Sequence, residues 1–161
     1  EPEAWKRIAS GLPAFQLTYD EGLKVGYKWY DAENKPVLFP FGFGLSYTTF
    51  AYSDLKVSPG TDKTASVSFT VKNTGDRAGA EVAQVYAALP ASAGEPPKRL
   101  VAFTKLKLKP GESRDVTVEV EPKFLSIFDE QKNGWEMVPG EYTFMVGGSS
   151  QSLPLKASVS Q

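Results

Sequence analysis

The stretch TASVSFTVKN, residues 64–73, decides the fold class of this 161-residue chain. Its apolar residues, Ala65, Val67, Phe69 and Val71, alternate with residues that carry hydroxyl groups. This period of two is typical of a β-strand that buries one face and exposes the other. The letters NTGDRAG come next, and their composition indicates a turn. The stretch therefore predicts a half-buried strand that ends in a turn.

Further strand signals recur along the rest of the chain. They lie at residues 80–89, 98–108, 113–121, 134–150 and 153–161. In the first of these segments Val85 is out of phase, which indicates a central strand or a bulge. About seven short strands separated by turn signals are typical of two packed antiparallel sheets. We predict a mostly β fold, an immunoglobulin or fibronectin type III-like antiparallel β-sandwich, preceded by an irregular segment with one short helix.

Two segments carry helical signals. A short helix is predicted from about Val25 to Glu33, because Asn34 and Pro36 would stop it. Pro122 opens the stretch PKFLSIFDE, for which we predict a helical turn. The buried side of this turn would consist of Phe124, Leu125 and Phe128.

A segment rich in aromatic rings precedes the strands. Residues 38–50, LFPFGFGLSYTTF, contain five aromatic rings with Pro40, Gly42 and Gly44 between them. We call this segment the aromatic ribbon. Its rings are Phe39, Phe41, Phe43, Tyr47 and Phe50. Pro40 lacks a backbone donor and glycines weaken helices and strands, so neither regular structure is predicted. Large apolar patches of this kind normally face a partner surface.

The charge balance argues against two classes of partner. The chain has 18 basic and 19 acidic residues, which gives a formal net charge of −1. This balance provides no electrostatic reason to expect nucleic acid or an anionic membrane as partner. No apolar run approaches the roughly 20 residues that a membrane-spanning helix needs. We therefore predict neither a nucleic-acid partner nor a membrane partner.

Cysteine and histidine are both absent from the sequence. Disulfides, thiol nucleophiles, Ser-His-Asp triads and ordinary zinc sites are excluded because they need these side chains. We predict no metal site and no cofactor. The opening letters EPEAWKRIAS contain neither an initial Met nor a signal-peptide pattern. We therefore interpret the chain as an internal piece of a longer protein.

Several motifs, in their order and spacing, resemble glycoside hydrolases of family 3. Residues 19–50 resemble the segment that closes the α/β sandwich domain of these enzymes. Residues 71–87, 96–113 and 122–150 resemble their C-terminal fibronectin type III-like domain. The resemblance covers residues 11–157, nearly the whole chain.

The resemblance implies a domain division and a role for the ribbon. Residues 1–45 would be the end of the α/β sandwich domain with an interdomain bridge, and residues 46–161 the fibronectin type III-like domain. The implied interdomain packing residues are Trp29, Phe39, Phe41, Phe43 and Tyr47. The alternative is that the rings form one end of the β-sandwich core.

The resemblance also implies that the chemistry lies outside these residues. Family 3 enzymes take an aspartate nucleophile from an N-terminal (β/α)8 barrel and an acid/base from its neighbour, usually upstream of the stretch represented here. Neither motif is present, so we assign no catalytic residue and expect this chain alone to be inactive. The parent would be a retaining β-glucosidase or β-xylosidase, with a β-linked oligosaccharide or glycoside as substrate. The implied partners are the barrel and the α/β sandwich domain of the same parent. A periplasmic or secreted parent is compatible with the resemblance.

Two other functions stay open. A carbohydrate-binding module would need exposed rings, and Trp135, in the turn-rich letters NGWEMVPG, is the best candidate for a sugar contact. An adhesive or scaffolding β-sandwich is the other alternative. A self-contained module of that kind would not carry the first 45 residues, which resemble a catalytic domain.

Overall fold

A computed structural model of the chain describes Gly11 and residues 18–160. These residues form one α-helix, nine strands and three short 3₁₀ turns. The helix and strands are α1 (Tyr27–Ala32), β1 (Phe50–Pro59), β2 (Ala65–Asn73), β3 (Gly79–Ala88), β4 (Arg99–Leu108), β5 (Ser113–Val120), β6 (Ile127–Asp129), β7 (Gly134–Glu136), β8 (Glu141–Gly147) and β9 (Leu155–Ser160). The 3₁₀ turns are Thr61–Lys63, Ala91–Ala93 and Pro122–Leu125. None of the helices among these residues is long and apolar enough to cross a membrane.

Seven of the strands form the predicted sandwich. One sheet has the order β1-β2-β5 and the other the order β4-β3-β8-β9, and every pairing is antiparallel. Strands β6 and β7 form a separate two-stranded hairpin. The predicted fold class is confirmed, including the short helix in the irregular segment that precedes the strands.

The core lies between the two sheets. Strand β2 buries Ala65, Val67, Phe69 and Val71 as its alternation predicts, and each is at most 2% exposed. Facing side chains come from the other sheet; among them are Val85, Phe144 and Val146. Burial of these faces supplies the main driving force for folding.

Strand β3 is central and is covered on both faces. Its residues from Ala83 to Ala87 are all buried. Ala83, Val85 and Ala87 belong to the core, so Gln84 and Tyr86 point to the outer face of the sheet. The sequence analysis left a central strand or a bulge open for this segment, and β3 lies inside its sheet, between β4 and β8. Its pairing with β4 shifts register between Val85 and Tyr86 because β4 contains one extra residue, Val101.

A tyrosine locks the start of β8. Tyr142 is fully buried, and its hydroxyl donates a hydrogen bond to the Val138 carbonyl at 2.6 Å. This contact is the tyrosine corner that is typical of immunoglobulin-like sandwiches. The sequence analysis did not single out Tyr142, although a tyrosine two residues after Pro139-Gly140 is a usable signal.

The structure corrects two details of the sequence analysis. The first is β1, for which no separate strand was predicted. A bulge between Ser53 and Lys56, with Asp54 at a φ of 57°, breaks its alternation. The second is the stretch 122–130, where the helical turn ends at Leu125 and β6 follows. Of the three residues predicted to be buried there, only Leu125 is; Phe124 and Phe128 are about half exposed.

Candidate functional site

The aromatic ribbon lies over the outer face of the four-stranded sheet. The amide of Gln84 in β3 ties it there, since Nε2 donates to the Gly42 carbonyl at 3.2 Å and to the Gly148 carbonyl at 2.6 Å. The Gln84 Oε1 accepts a hydrogen bond from the Tyr86 hydroxyl at 2.6 Å. We call this set of contacts the Gln84 clamp. It satisfies a buried polar side chain and joins the ribbon to β3 and to the segment after β8.

A tight turn brings the ribbon into the clamp. The Phe43 amide donates to the Pro40 carbonyl at 3.0 Å, and Gly42, at the third position, has a φ of 79°. A positive φ at this position is the mark of a type II turn and favours glycine. A Cβ atom at Gly42 would lie 2.6 Å from the Gln84 carboxamide carbon. Glycine is therefore required at this position both by the backbone and by the close approach.

Helix α1 supports the ribbon from beneath. The Tyr27 ring stacks on Phe41 with centroids 4.7 Å apart and an interplanar angle of 22°, and it meets Tyr86 edge-on at 5.9 Å. The Leu100 amide donates to the Tyr27 hydroxyl oxygen at 2.8 Å. Burial raises the pKa of Tyr27, and burial also raises the pKa of Tyr86. Both hydroxyls are thus neutral hydrogen-bonding groups that fix ring positions.

An ion pair fastens α1 to the edge of the sheet. Lys98 Nζ lies 2.7 Å from Asp31 Oδ2, and the two side chains are only 15% and 9% exposed. Lys98 directly precedes β4. At this burial the attraction between the two charges is stronger than in a surface ion pair, but formation of the pair also carries a large desolvation cost. Its role is to hold α1 and β4 together.

The other side of the ribbon is open to solvent. Phe39 is 72% exposed, Tyr47 is 91% exposed, and Phe41 and Phe43 are each 47% exposed. Phe39 and Phe43 lie against each other with centroids 5.3 Å apart. Of the five ribbon rings, Phe50 alone packs against the core. The remaining four form an apolar surface that the sandwich does not cover.

The surface of the ribbon carries no charge and adjoins a cleft. The sequence contains no charged residue between Lys35 and Asp54. An open cleft of about 570 Å³ lies beside the contact between α1 and the ribbon and is lined by residues of both. Its lining includes Tyr27, Tyr30, Asp31, Phe39, Phe41 and Ser150. Trp29 is half-buried on the same helix, with its ring edge-on to Tyr30 at 5.0 Å and Lys35 Nζ 5.1 Å from its centroid.

The predicted sugar contact lies elsewhere, on the hairpin. Trp135 is in β7 and is 55% exposed. It pairs across the hairpin with Phe128 of β6. Trp135 and the ribbon rings therefore belong to different elements and form two separate aromatic surfaces.

The described residues offer little for catalysis. Asp20 and Glu21 are exposed and adjacent in the chain. Within Gly11 and residues 18–160, no group of three or more acidic side chains could hold a metal ion. We assign no catalytic role to a residue of this site.

The sequence analysis missed the residues that hold the ribbon in place. Tyr27, Asp31, Gln84 and Lys98 make these contacts, and none was named as a site residue. One signal was available, because Gln84 is a polar residue in the middle of an apolar central strand. A buried polar residue of that kind needs a partner. The ion pair gave no signal, since its two residues are far apart in the sequence.

Comparison with known proteins finds similarity over most of the chain. Residues 81–150 match the fibronectin type III-like domain family. A probable β-glucosidase K of Emericella nidulans is 44% identical over 144 residues, which are 88% of this chain and 17% of that protein. The resemblance stated from the motifs is thereby confirmed, and it extends over most of the chain.

Solved structures agree with this relationship. A family 3 β-glucosidase of Bifidobacterium adolescentis superposes with a TM-score of 0.84 at 42% identity, over 88% of this chain and 21% of that one. A β-glucosidase of Streptomyces venezuelae, solved in complex with D-glucose, gives a TM-score of 0.87 at 38% identity, over 99% of this chain and 20% of that one. The chain spans about a fifth of the length of these relatives.

Proposed function

We propose that this chain is the non-catalytic C-terminal part of a family 3 glycoside hydrolase of the retaining β-glucosidase or β-xylosidase type, and that it packs on and stabilises the catalytic domains. One observation carries the proposal. The aromatic ribbon is fixed to the sandwich on one side and leaves Phe39, Phe41, Phe43 and Tyr47 uncovered on the other. The relatives of this chain are β-glucosidases about five times as long, and their additional residues could cover such a surface.

The proposed partners follow from the same relationship. They are the (β/α)8 barrel and the α/β sandwich domain of the same parent, which would supply the nucleophile and the acid/base. In this proposal residues 1–45 end the α/β sandwich domain and form the bridge, and residues 46–161 form the fibronectin type III-like domain. Trp29, Phe39, Phe41, Phe43 and Tyr47 would pack between the domains. The substrate, a β-linked glycoside, would be bound by the parent.

The physical support is the composition of the ribbon surface. Protein interfaces are depleted of charged residues at their centres and enriched in aromatic rings. The ribbon has this composition, because it presents four exposed rings and no charge. Burying a phenylalanine that is otherwise exposed contributes about 1.5 to 3 kcal/mol. Several such rings would contribute substantially to a domain interface.

The first test concerns activity. The isolated chain at micromolar concentration should not hydrolyse p-nitrophenyl β-glucoside or p-nitrophenyl β-xyloside, because in this proposal the paired carboxyl groups that glycoside hydrolysis needs belong to the other domains of the parent. The release of p-nitrophenol is measured by its absorbance. Turnover that survives repurification and disappears in the Asp20→Asn or Asp31→Asn variant would show that the chemistry lies in this chain.

The second test compares the same substitution in two contexts. In the isolated chain, Phe39→Ala should change the free energy of unfolding by less than about 0.5 kcal/mol, as expected for a surface substitution. In the full-length gene product it should cost about 2 kcal/mol, because the ring would be buried there. Urea denaturation followed by tryptophan fluorescence measures both values.

Phe124→Ala is the matched control for this comparison. Phe124 is 45% exposed in the 3₁₀ turn Pro122–Leu125, outside the ribbon and the sheet face that carries it, and its replacement should have little effect in either context. Equal losses for Phe39→Ala in the two contexts would contradict the interdomain role. The intact mass of the native gene product provides a separate check, since the proposal requires a protein about four to five times as long as this chain.

A further inference from the structure

We propose that the β6–β7 hairpin carries a binding site for a β-linked glucan chain, with Phe128 and Trp135 as its platform. The site lies outside the ribbon and acts independently of it. The choice of β-linked glucose rests on the proposed function, whereas the platform itself rests on the geometry of the hairpin.

The two rings form a paired and exposed surface. Phe128 and Trp135 are direct cross-strand partners, and their centroids lie 5.6 Å apart with an interplanar angle of 75°. They are 48% and 55% exposed, respectively. Neither belongs to the core of the sandwich. A large part of each ring is therefore available to a ligand.

Polar contacts stiffen the hairpin that carries the rings. Asp129 Oδ1 accepts hydrogen bonds from the amides of Gln131 and Lys132 at 2.9 and 3.1 Å. Lys132 Nζ also contacts the carboxylates of Asp129 and Glu136, one on each strand. A short two-stranded hairpin is only marginally stable without such support. These contacts join the turn and both strands of the hairpin that carries the rings.

Charged groups lie close to the rings. Lys123 Nζ lies over one face of the Trp135 ring, 5.4 Å from its centroid, in a cation–π contact. The side chains of Lys132 and Glu136 are 65% and 44% exposed. Ammonium groups donate hydrogen bonds and carboxylates accept them, so the platform can serve both roles of a sugar hydroxyl.

The chemistry of β-linked glucose matches this arrangement. Its hydroxyls are equatorial, so each face of the pyranose ring presents C–H groups while the rim presents hydroxyls. The face of an aromatic ring carries partial negative charge and attracts such C–H groups. The rim would then reach Lys123 and Glu136.

Charge distinguishes this surface from the ribbon. Residues 128–136 include Asp129, Glu130, Lys132 and Glu136, whereas the ribbon has no charged residue. The centre of a protein interface disfavours such charges. The hydroxyls of a sugar can donate hydrogen bonds to the carboxylates and accept them from the Lys132 ammonium. We therefore assign the hairpin to a sugar chain and the ribbon to a protein surface.

The experiment titrates the isolated chain with cellohexaose and with soluble laminarin, at sugar concentrations up to several millimolar. Binding is measured from the indole N–H signals in NMR spectra and by affinity electrophoresis in gels that contain the polysaccharide. Wild-type chain should bind a β-linked glucan, and Trp135→Ala should weaken that binding about tenfold or more, equivalent to about 1.4 kcal/mol. Trp135→Phe keeps the cross-strand ring pair and should weaken binding by only a few fold.

Phe103→Ala is the control, because it removes an exposed ring from β4 and should leave binding unchanged. If Trp135→Ala fails to fold, the Trp135→Phe and Lys123→Ala variants test the proposal in its place. Both variants should bind the glucan more weakly than the wild type does. Undiminished binding in the Trp135 and Lys123 variants would overturn the proposal. Absence of binding by the wild type, or equal binding of the α-linked polymer dextran, would overturn it as well. Such results would leave the proposed function standing, since its tests measure hydrolysis and interdomain stability.

Discussion

Replacing Asp31 by alanine is expected to lower the free energy of unfolding of the isolated chain by about 3 kcal/mol. The change removes one partner of an ion pair whose side chains are 9% and 15% exposed, and it leaves the Lys98 ammonium without its carboxylate. This expected loss lies at the low end of the range for removing one partner of a buried ion pair, because Lys98 keeps some access to water. Urea denaturation of the wild type and the variant measures the difference.

Two controls identify the cause of that loss. In the double variant Asp31→Leu with Lys98→Met, no charge is left unpaired, and the stability should return to within about 1 kcal/mol of the wild type. The exposed pair between Lys24 and Glu33 has a similar distance, 2.8 Å, but lies at the surface. Glu33→Ala should therefore leave the urea midpoint unchanged. A double variant as unstable as Asp31→Ala would mean that packing of α1, rather than charge, accounts for the effect.

Replacing Gly42 by alanine is expected to cost about 3 kcal/mol as well. Part of this cost is the positive φ of 79°, which a residue with a Cβ atom adopts unfavourably. The rest is overlap with the Gln84 amide, which would have to move and would weaken its bonds to Gly42 and Gly148. Urea denaturation measures the loss of stability, and near-ultraviolet circular dichroism reports the Tyr27–Phe41 stack.

Gly44→Ala is the matched control, two residues further along the same ribbon. A Cβ atom there would meet nothing within 4 Å, and Gly44 does not have a positive φ. The variant should be as stable as the wild type, within about 0.5 kcal/mol. A small effect at Gly42, similar to that at Gly44, would show that the ribbon is not held by the Gln84 clamp.

Alternation of apolar residues predicted the sandwich well, because it depends on local geometry. Val67, Phe69 and Val71 are buried in β2 as their spacing indicates, and Val116 and Val120 are buried in β5. Prediction from alternating apolar residues failed where the alternation is interrupted. The bulge at Asp54 hides β1, and the short strand β6 follows a 3₁₀ turn too closely to be separated from it.

The candidate site was predicted only in part, for a different physical reason. The ribbon is visible in the sequence because rings, proline and glycines stand together in residues 38–50. Gln84 stands out as a polar residue in an apolar strand, but the partners in the attachment are not visible, because the contacts join Gly42 to Gln84 and Asp31 to Lys98 across the chain. Such pairs are decided by the tertiary fold, and neither periodicity nor composition contains them. The interdomain role of the ribbon stays a prediction.

The Gln84 clamp also has a consequence for synthesis on the ribosome. Gln84 follows Gly42 by 42 residues, and Gly148 follows Gln84 by a further 64. Because the nascent chain grows from its N-terminus at about 5–20 residues per second, the ribbon emerges several seconds before its second anchor exists. During that interval its rings have neither the sheet nor the clamp to hold them. The ribbon is therefore exposed to solvent and to chaperones throughout that interval.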